Sequence, residues 1–366
     1  MNTENWGFAR GNCISGGHAV PGAVPPADDG ETIRDPPAPR EPEFRFFARH
    51  PVLLLVLLTP GIPEYLSGSS PVTSLILNPP LFLVQLLLNV CLYGPGVLLV
   101  REAAVRWRKG WATIILLGCA YGILEEGIAL GTLFNPLAGP VGELGFYGHW
   151  LGVNWVWSAG VLMVHMVLSV SLPIMLLGVA LPATRGRSLL PGRRAGAALA
   201  LLTGDVFALL VFTVRYAGFW MGQPIFILSL AAIVCVVYAA RRVPATLLSP
   251  AGRQRPYWAV AVLGALFFPL ILLAEFLPMK ASLPAPAALI ALLAAEGLLF
   301  RAVRGSVGRE KDERRLVALS AGVLAPICLF GFLSQAHLPL VLLADAAILL
   351  FLARLWRMYP PPDIIK

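Results

Sequence analysis

Charge is scarce in this chain: Asp, Glu, Lys and Arg make up 13% of its 366 residues, against about 25% in soluble domains. Hydrophobic residues make up 57%. That balance excludes a globular enzyme with a single anchor and points to a polytopic membrane protein. Alternation is missing as well. The apolar segments run unbroken for about 18–25 residues, which argues against a sheet barrel and for membrane-crossing helices. The five cysteines (Cys13, Cys91, Cys119, Cys235 and Cys328) show no CxxC spacing, so no zinc ribbon or disulfide framework follows. Four of them lie in apolar segments as small hydrophobes. The formal charge is +8, yet the basic residues sit at segment ends. Lipid headgroups and insertion topology account for them there, without nucleic acid.

What is present falls into three materials. Residues 1–46 are rich in Gly, Pro and mixed charge, with Pro21, Pro25, Pro26, Pro36, Pro37 and Pro39. They cannot bury enough apolar surface to fold and are expected to be a disordered tail. With no short apolar run behind a basic start, they do not read as a secretory signal peptide. Residues 47–358 are expected to form the membrane domain, and 359–366 a short second tail.

Ten spans are expected, at 48–66, 81–100, 111–131, 155–181, 196–214, 224–240, 257–277, 283–300, 316–335 and 338–356. A cytoplasmic amino terminus then places 26 of the 28 Lys and Arg residues in inside segments, leaving Arg215 and Lys280 outside. Adding or removing one span scrambles that alternation. The expected fold is therefore an all-α, polytopic transmembrane helix bundle of about ten spans with both termini cytoplasmic. Trp107, Trp111, Tyr257, Trp258 and Trp356 mark the inner interface; Trp150, Trp155 and Trp220 mark the outer one. Pro60, Pro63 and Glu64 make the outer end of the first span a place to break or re-enter. The last two spans are joined by a tight turn around Gln335–Leu338. No internal repeat stands out, which counts against an inverted-repeat transporter.

Residues 111–131, WATIILLGCAYGILEEGIALG, hold Glu125 and Glu126 in an otherwise apolar span. An ionised carboxylate at a helix centre in lipid costs roughly 2.5–3.5 kcal/mol, so the pair must be sheltered, paired or protonated. A rise of 1.5 Å per residue sets them roughly 21 Å from the inner end, in the outer half of the membrane. Gly118, Gly122 and Ala129 share their face and allow a neighbouring helix to approach closely. The pair is either a structural carboxylate pair sharing a proton or a catalytic, metal-binding or proton-carrying group.

His165 lies mid-span on the next helix, roughly 15 Å below its outer edge and so close in depth to the glutamates. Ser158 and Ser169 share its face. It reads as a metal ligand, a proton shuttle or an interhelical hydrogen-bond partner. The connection 132–154 carries no Lys or Arg, and Asn135-Pro136 reads as a turn or helix stop. Within it, His149 and Asn154 are candidates to cap the outer mouth of a cavity, against the plainer reading of an interfacial loop anchored by Trp150, Trp155 and Trp157. Glu64 is a further candidate pocket residue. Asp205, Glu275, Glu296, Arg215, Lys280, His337 and Asp345 each read singly as structural, with Arg215 meeting an outer carboxylate and Glu296 pairing with Arg301.

The string EEGIALGTL resembles the first motif of the CPBP intramembrane proteases, the CAAX-processing and bacteriocin-processing group. That motif is two glutamates, three residues, an arginine, then Gly-x-Leu. Glu125, Glu126, Gly131 and Leu133 match; Leu130 takes the arginine position. His165 stands about 40 residues on, where the second motif's histidine belongs, with Leu162 in place of the aromatic three residues before it. The third motif, histidine followed by Asn or Asp at i+4, has no counterpart in the following helices, and His337 has Val341 at that offset. The resemblance covers about 55 residues.

The whole chain also resembles bacterial polytopic plasma-membrane proteins sharing an EYL…RE…YG…EEG…NP pattern. Here those residues are Glu64-Tyr65-Leu66, Arg101-Glu102, Tyr121-Gly122, Glu125-Glu126-Gly127 and Asn135-Pro136. That second likeness implies no activity. The protease likeness implies that Glu125, Glu126 and His165 form a catalytic set: a glutamate acts as general base on a water, and Glu126 with His165 binds a divalent metal. It further implies a membrane-embedded or lipidated substrate met within the lipid bilayer from the outer side. Two other classes stay open. One is a proton-coupled small-molecule transporter relaying charge through Glu126, Asp205 and Asp345; the other is a non-catalytic scaffold or lipid-binding protein.

Overall fold

A bilayer core offers no water to a peptide group, so each apolar segment must close its own backbone hydrogen bonds, and a helix does this within one segment. The computed structural model describes residues 44–249, 251–252, 254–307, 312–335 and 339–359. Residues 1–43 of the expected disordered tail 1–46, the end of the second tail, His337 and the turn joining the last two segments lie outside these residues; the tail's expected end is instead part of a short helix, Arg45–Arg49. Ten helical segments carry the chain: α1 (Pro51–Leu66), α2 (Pro79–Arg106), α3 (Trp111–Ala129), α4 (Trp155–Ala180) and α5 (Arg194–Arg215) come first. They are followed by α6 (Gln223–Arg242), α7 (Tyr257–Lys280), α8 (Ala285–Val307), α9 (Glu313–Gln335) and α10 (Pro339–Met358). Among the described residues, eight of them, α2 to α9, are long and apolar enough to cross a membrane. The fold is an all-α helical bundle of a multi-pass membrane protein.

Helices start where the sequence supplies a cap or a fixed φ. At α2, Asn78 accepts the Leu81 amide at 3.3 Å, and Pro79 and Pro80 fill the first turn, where no donor is needed. One feature was not expected. Within the 132–154 connection, β1 (His149–Trp150) and β2 (Val153–Asn154) pair antiparallel, with His149 opposite Asn154. The two-residue turn between them puts Leu151 at φ 50° and Gly152 at φ 75°, the twist that a tight hairpin requires.

The helices are not equally enclosed. In α3, 72% of the spanning window is buried by protein, against 17% in α8 and 11% in α6. The helix carrying two carboxylates is thus the one most shielded from lipid. Its Trp111–Gly122 part lies against α4, α6 follows it along its length, and α5 packs on its glutamate-bearing end. Helix α2 bridges α1 and α5, while α7 packs against both α8 and α9, and α9 leans on the second half of α4. The tight α7–α9 contact has a cause: a Cβ on Gly264 would sit 2.5 Å from the Leu319 carbonyl oxygen.

At one end of the bundle the Arg101-Glu102 pair clamps the segment that joins α4 to α5. Glu102 accepts from Arg106 Nε at 2.7 Å, from the Ser188 hydroxyl at 2.5 Å, and from the Leu189 and Leu190 amides at 3.0 and 3.3 Å. Arg101, also buried, donates to the carbonyls of Thr184 and Arg187. The Arg101-Glu102 pair therefore acts as a loop anchor. Glu102→Ala leaves these donors unmet and is expected to cost about 1–3 kcal/mol, lowering the thermal midpoint and exposing Arg185, Arg187 and Arg193 to trypsin. A variant that melts and resists trypsin like the parent would overturn this account.

Candidate functional site

Three helices widen at their polar residues. Helix α1 ends in the π-helical segment Gly61–Leu66, α3 ends in Ile123–Ala129, and α4 passes through His165–Ser171. Such wider turns, hydrogen-bonded i→i+5, re-aim side chains and recur at functional sites. These three carry Glu64, the Glu125–Glu126 pair and His165. The small-residue face expected beside the glutamates does meet α4. A Cβ on Gly122 would lie 2.8 Å from Leu162 Cδ2 and 3.1 Å from His165 Cβ, so glycine is what lets the two helices close.

His165 Nε2 lies 3.1 Å from Glu126 Oε1, and Nδ1 lies 3.5 Å from Glu125 Oε2. The Ser169 hydroxyl is 3.1 Å from the same Nδ1. In one tautomer Nε2–H donates to Glu126 and Nδ1 accepts from Ser169, which fixes the ring at both nitrogens. The other Glu126 oxygen accepts from the Thr132 hydroxyl. Thr132 Oγ1 in turn accepts Trp157 Nε1–H at 3.3 Å, and its carbonyl accepts the Asn154 amide at 2.8 Å. Asn154 Oδ1 closes the chain 2.6 Å from His149 Nδ1. One polar chain therefore runs from the hairpin to the imidazole.

Glu64 approaches from the opposite side. Its carboxylate accepts the Tyr93 hydroxyl at 2.6 Å and the Ser70 hydroxyl at 2.7 Å. The Tyr93 ring lies nearly parallel to the His165 ring, centroids 6.4 Å apart, and Tyr121 stands edge-on to the same imidazole at 6.0 Å. Both tyrosines lie beside Glu125. Two buried oxygens in this cluster, Glu125 Oε2 and the Tyr121 hydroxyl, make no well-aligned hydrogen bond; their polar neighbours include each other's side chains and, 3.5 Å from Glu125 Oε2, His165 Nδ1.

The structure thus brings Glu125, Glu126 and His165 together directly, joins Asn154 and His149 to them through Thr132, and joins Glu64 through Tyr93. Other residues stay apart. Ser158, expected on the histidine face, keeps a buried hydroxyl without a partner. Asp345 lies beside Cys328, between α9 and α10; Asp205 is near Cys91 and also near Tyr121, so it adjoins the edge of the cluster. Glu296 does not pair with Arg301; its Oε1 is buried without a partner. Five residues at about 100° each put the two side chains about 140° apart around α8. Arg215 makes no ion pair among the described residues. Sequence reasoning overlooked Thr132, Tyr93 and Tyr121. Hydroxyls are common in membrane helices, so the sequence carried no signal that singled these three out.

Three carboxyl groups surround one imidazole, and among the described residues no Lys or Arg forms an ion pair with Glu125, Glu126 or His165. Burial this deep, at 2% exposure for Glu125 and 3% for His165, requires protons or a bound cation to offset the negative charge. Glu125, Glu126 and His165 each offer one ligand atom within 4.8 Å of the others, the number of protein ligands usual at a catalytic zinc. The orphaned Glu125 oxygen fits such a group. No protein-family model, curated protein or solved structure matches this chain.

Gly122→Val tests whether close approach builds the site. Overpacking of this kind costs about 1–3 kcal/mol, and pushing α4 off α3 is expected to abolish the energetic coupling between Glu126 and His165 in a double-mutant cycle. Parent-like melting with undiminished coupling would refute it.

Proposed function

We propose that this protein is an intramembrane hydrolase, a divergent relative of the CPBP proteases, acting on a membrane-embedded or lipidated substrate. The observation that carries the reading is the buried contact of Glu125, Glu126 and His165 with one carboxylate oxygen left unpartnered. In this reading the substrate water hydrogen-bonds to Glu125 Oε2, and Glu125 takes its proton as general base. His165, held between Glu126 and Ser169, positions the water. Leu130 removes the arginine that the motif would supply, and the unpartnered Tyr121 hydroxyl is the donor available for a developing oxyanion. Glu126 and His165 would hold a divalent cation, which supplies positive charge against that oxyanion when bound, leaving Glu125 free to act as the base.

The accompanying topology is ten spans with both termini cytoplasmic, in the bacterial plasma membrane. It is supported by the placement of 26 of the 28 basic residues on one side and by helices α1 and α10 beside the eight long ones. That orientation sets the glutamates and His165 in the outer half of the bilayer, below the hairpin.

The purified protein is expected to carry about one equivalent of a divalent transition metal by elemental analysis. Glu126→Gln and His165→Ala should each lose it. Glu125→Gln should retain metal while hydrolysis of a panel of lipidated peptides falls about 10²–10⁴-fold. Metal-free parent protein together with undiminished cleavage by Glu125→Gln would end the proposal. Substrate or proton flux in proteoliposomes that Glu126→Gln abolishes would assign a transporter instead.

A further inference from the structure

At the end of the bundle that holds the Arg101-Glu102 clamp, a cavity of about 190 Å³ opens between α3, α4, α7, α8 and α9. Its walls are almost wholly apolar, with Trp111, Met175, Phe267 and Leu316 among them. One stripe of α8 supplies Phe300, Val303, Arg304 and Val307. An arginine belongs on such a wall only through its methylenes, with its charged head standing clear. Arg304 meets that condition. It is exposed, and its Nε donates to the Ser249 carbonyl at 2.9 Å. Leu248, the residue before Ser249, itself lines the cavity, so the guanidinium is pinned at the mouth. Its two terminal nitrogens have no partner among the described residues, and neither has Arg301, exposed and three residues back on the same helix. The nearby carboxylates at the start of α9 are taken: Asp312 by Arg315 and Glu313 by Arg185. Glu296 also lines the cavity, but stands eight residues back along α8, about 12 Å from the mouth. An apolar chamber thus opens beside positive charge that no carboxylate offsets.

We propose that this cavity holds one acyl chain of an anionic phospholipid whose phosphate is bound by Arg304. A guanidinium with Nε already engaged keeps its Nη donors for phosphate oxygens, and Arg301 beside it adds to the attraction. A zwitterionic lipid brings its own cation to the same place, and an uncharged chain leaves Arg304 unpaired, so charge selects the anionic class. The lining reaches the outside of the bundle at Phe300, 40% exposed, which gives a chain its way in from the bilayer. The inference is independent of the hydrolase reading, because none of its residues belongs to the glutamate–histidine cluster.

Trp111 in the wall provides the readout. Full-length protein in maltoside micelles is titrated with phosphatidylglycerol carrying a 6,7-dibromostearoyl chain, whose bromines quench nearby indole fluorescence. Phosphatidylcholine with the same chains and soluble glycerol phosphate serve as comparisons. Expected is saturable quenching by the phosphatidylglycerol that Trp111→Phe removes, with the phosphatidylcholine bound about 10-fold more weakly, the worth of one charged hydrogen bond. Arg304→Gln can still donate to the Ser249 carbonyl, so it should erase that preference at an unchanged melting temperature. Val303→Phe fills the chamber and should weaken both lipids alike. The proposal is overturned if the parent binds the two lipids equally, if Arg304→Gln keeps the preference, or if the quenching survives Trp111→Phe. Displacement of the lipid by glycerol phosphate would also overturn it, making Arg304 a site for a free anion.

Discussion

The contact between His165 and the two glutamates is the constraint around which the bundle is arranged. Charge or its near equivalent is placed where lipid would be the alternative surroundings, and the cost of that placement is met only by protein on every side. Helix α3 is accordingly the most enclosed of the long helices. Helices α5 and α6 cover the end of α3 that bears the glutamates, α4 covers its flank, and the end of α1 closes on α4. Lipid-facing helices such as α6 and α8 carry the apolar exterior, so enclosure is graded outward from the polar centre.

The same economy governs the ends. Arg101 and Glu102 are buried, yet their bonds run to backbone groups of the segment after α4 and to near neighbours on α2. They fix a connection, and the fixed connection holds α4 against α3. Arg185 adds a bidentate pair with Glu313, tying the same segment to α9. A site built between two helices needs both ends of that pair held. Here one end is held by charge and the other by the hairpin and its chain through Asn154 and Thr132.

Much of the fold and part of the site were legible in the sequence. Unbroken apolar runs place the helical segments, most ends to within three residues, while α2 and α8 continue to Arg106 and Val307, beyond the expected 100 and 300. Glu125, Glu126 and His165 stand out because ionisable residues are rare in such runs, and Gly122 on the glutamate face correctly pointed to a close neighbour. The π-helical turns were not legible, because hydropathy carries no record of which carbonyl an amide chooses. Nor was the hairpin: its turn places Leu151 at positive φ, where Asn or Gly would have announced it. Thr132 and Tyr93 were invisible for another reason. Hydroxyls are tolerated throughout membrane helices, so their presence signals nothing until a partner is seen. Helical phase parts Glu296 from Arg301: five residues apart in sequence, they face different sides of α8.

A purely structural role for the polar centre would be expected to satisfy every acceptor and donor, because an unmet group in this setting has no water to fall back on. Glu64 meets that standard, with both oxygens bonded, and so does Glu126, bonded to His165 and Thr132. Glu125 does not, and neither does Tyr121, although both lie against an imidazole that is itself well held. The bonding is therefore complete for the groups that position and incomplete for the two that face inward. That asymmetry is costly in a bilayer, and sites where local rules are broken at a cost tend to be where function resides. Scaffolding explains the satisfied half of the cluster; the unsatisfied half calls for a water, a cation or a substrate.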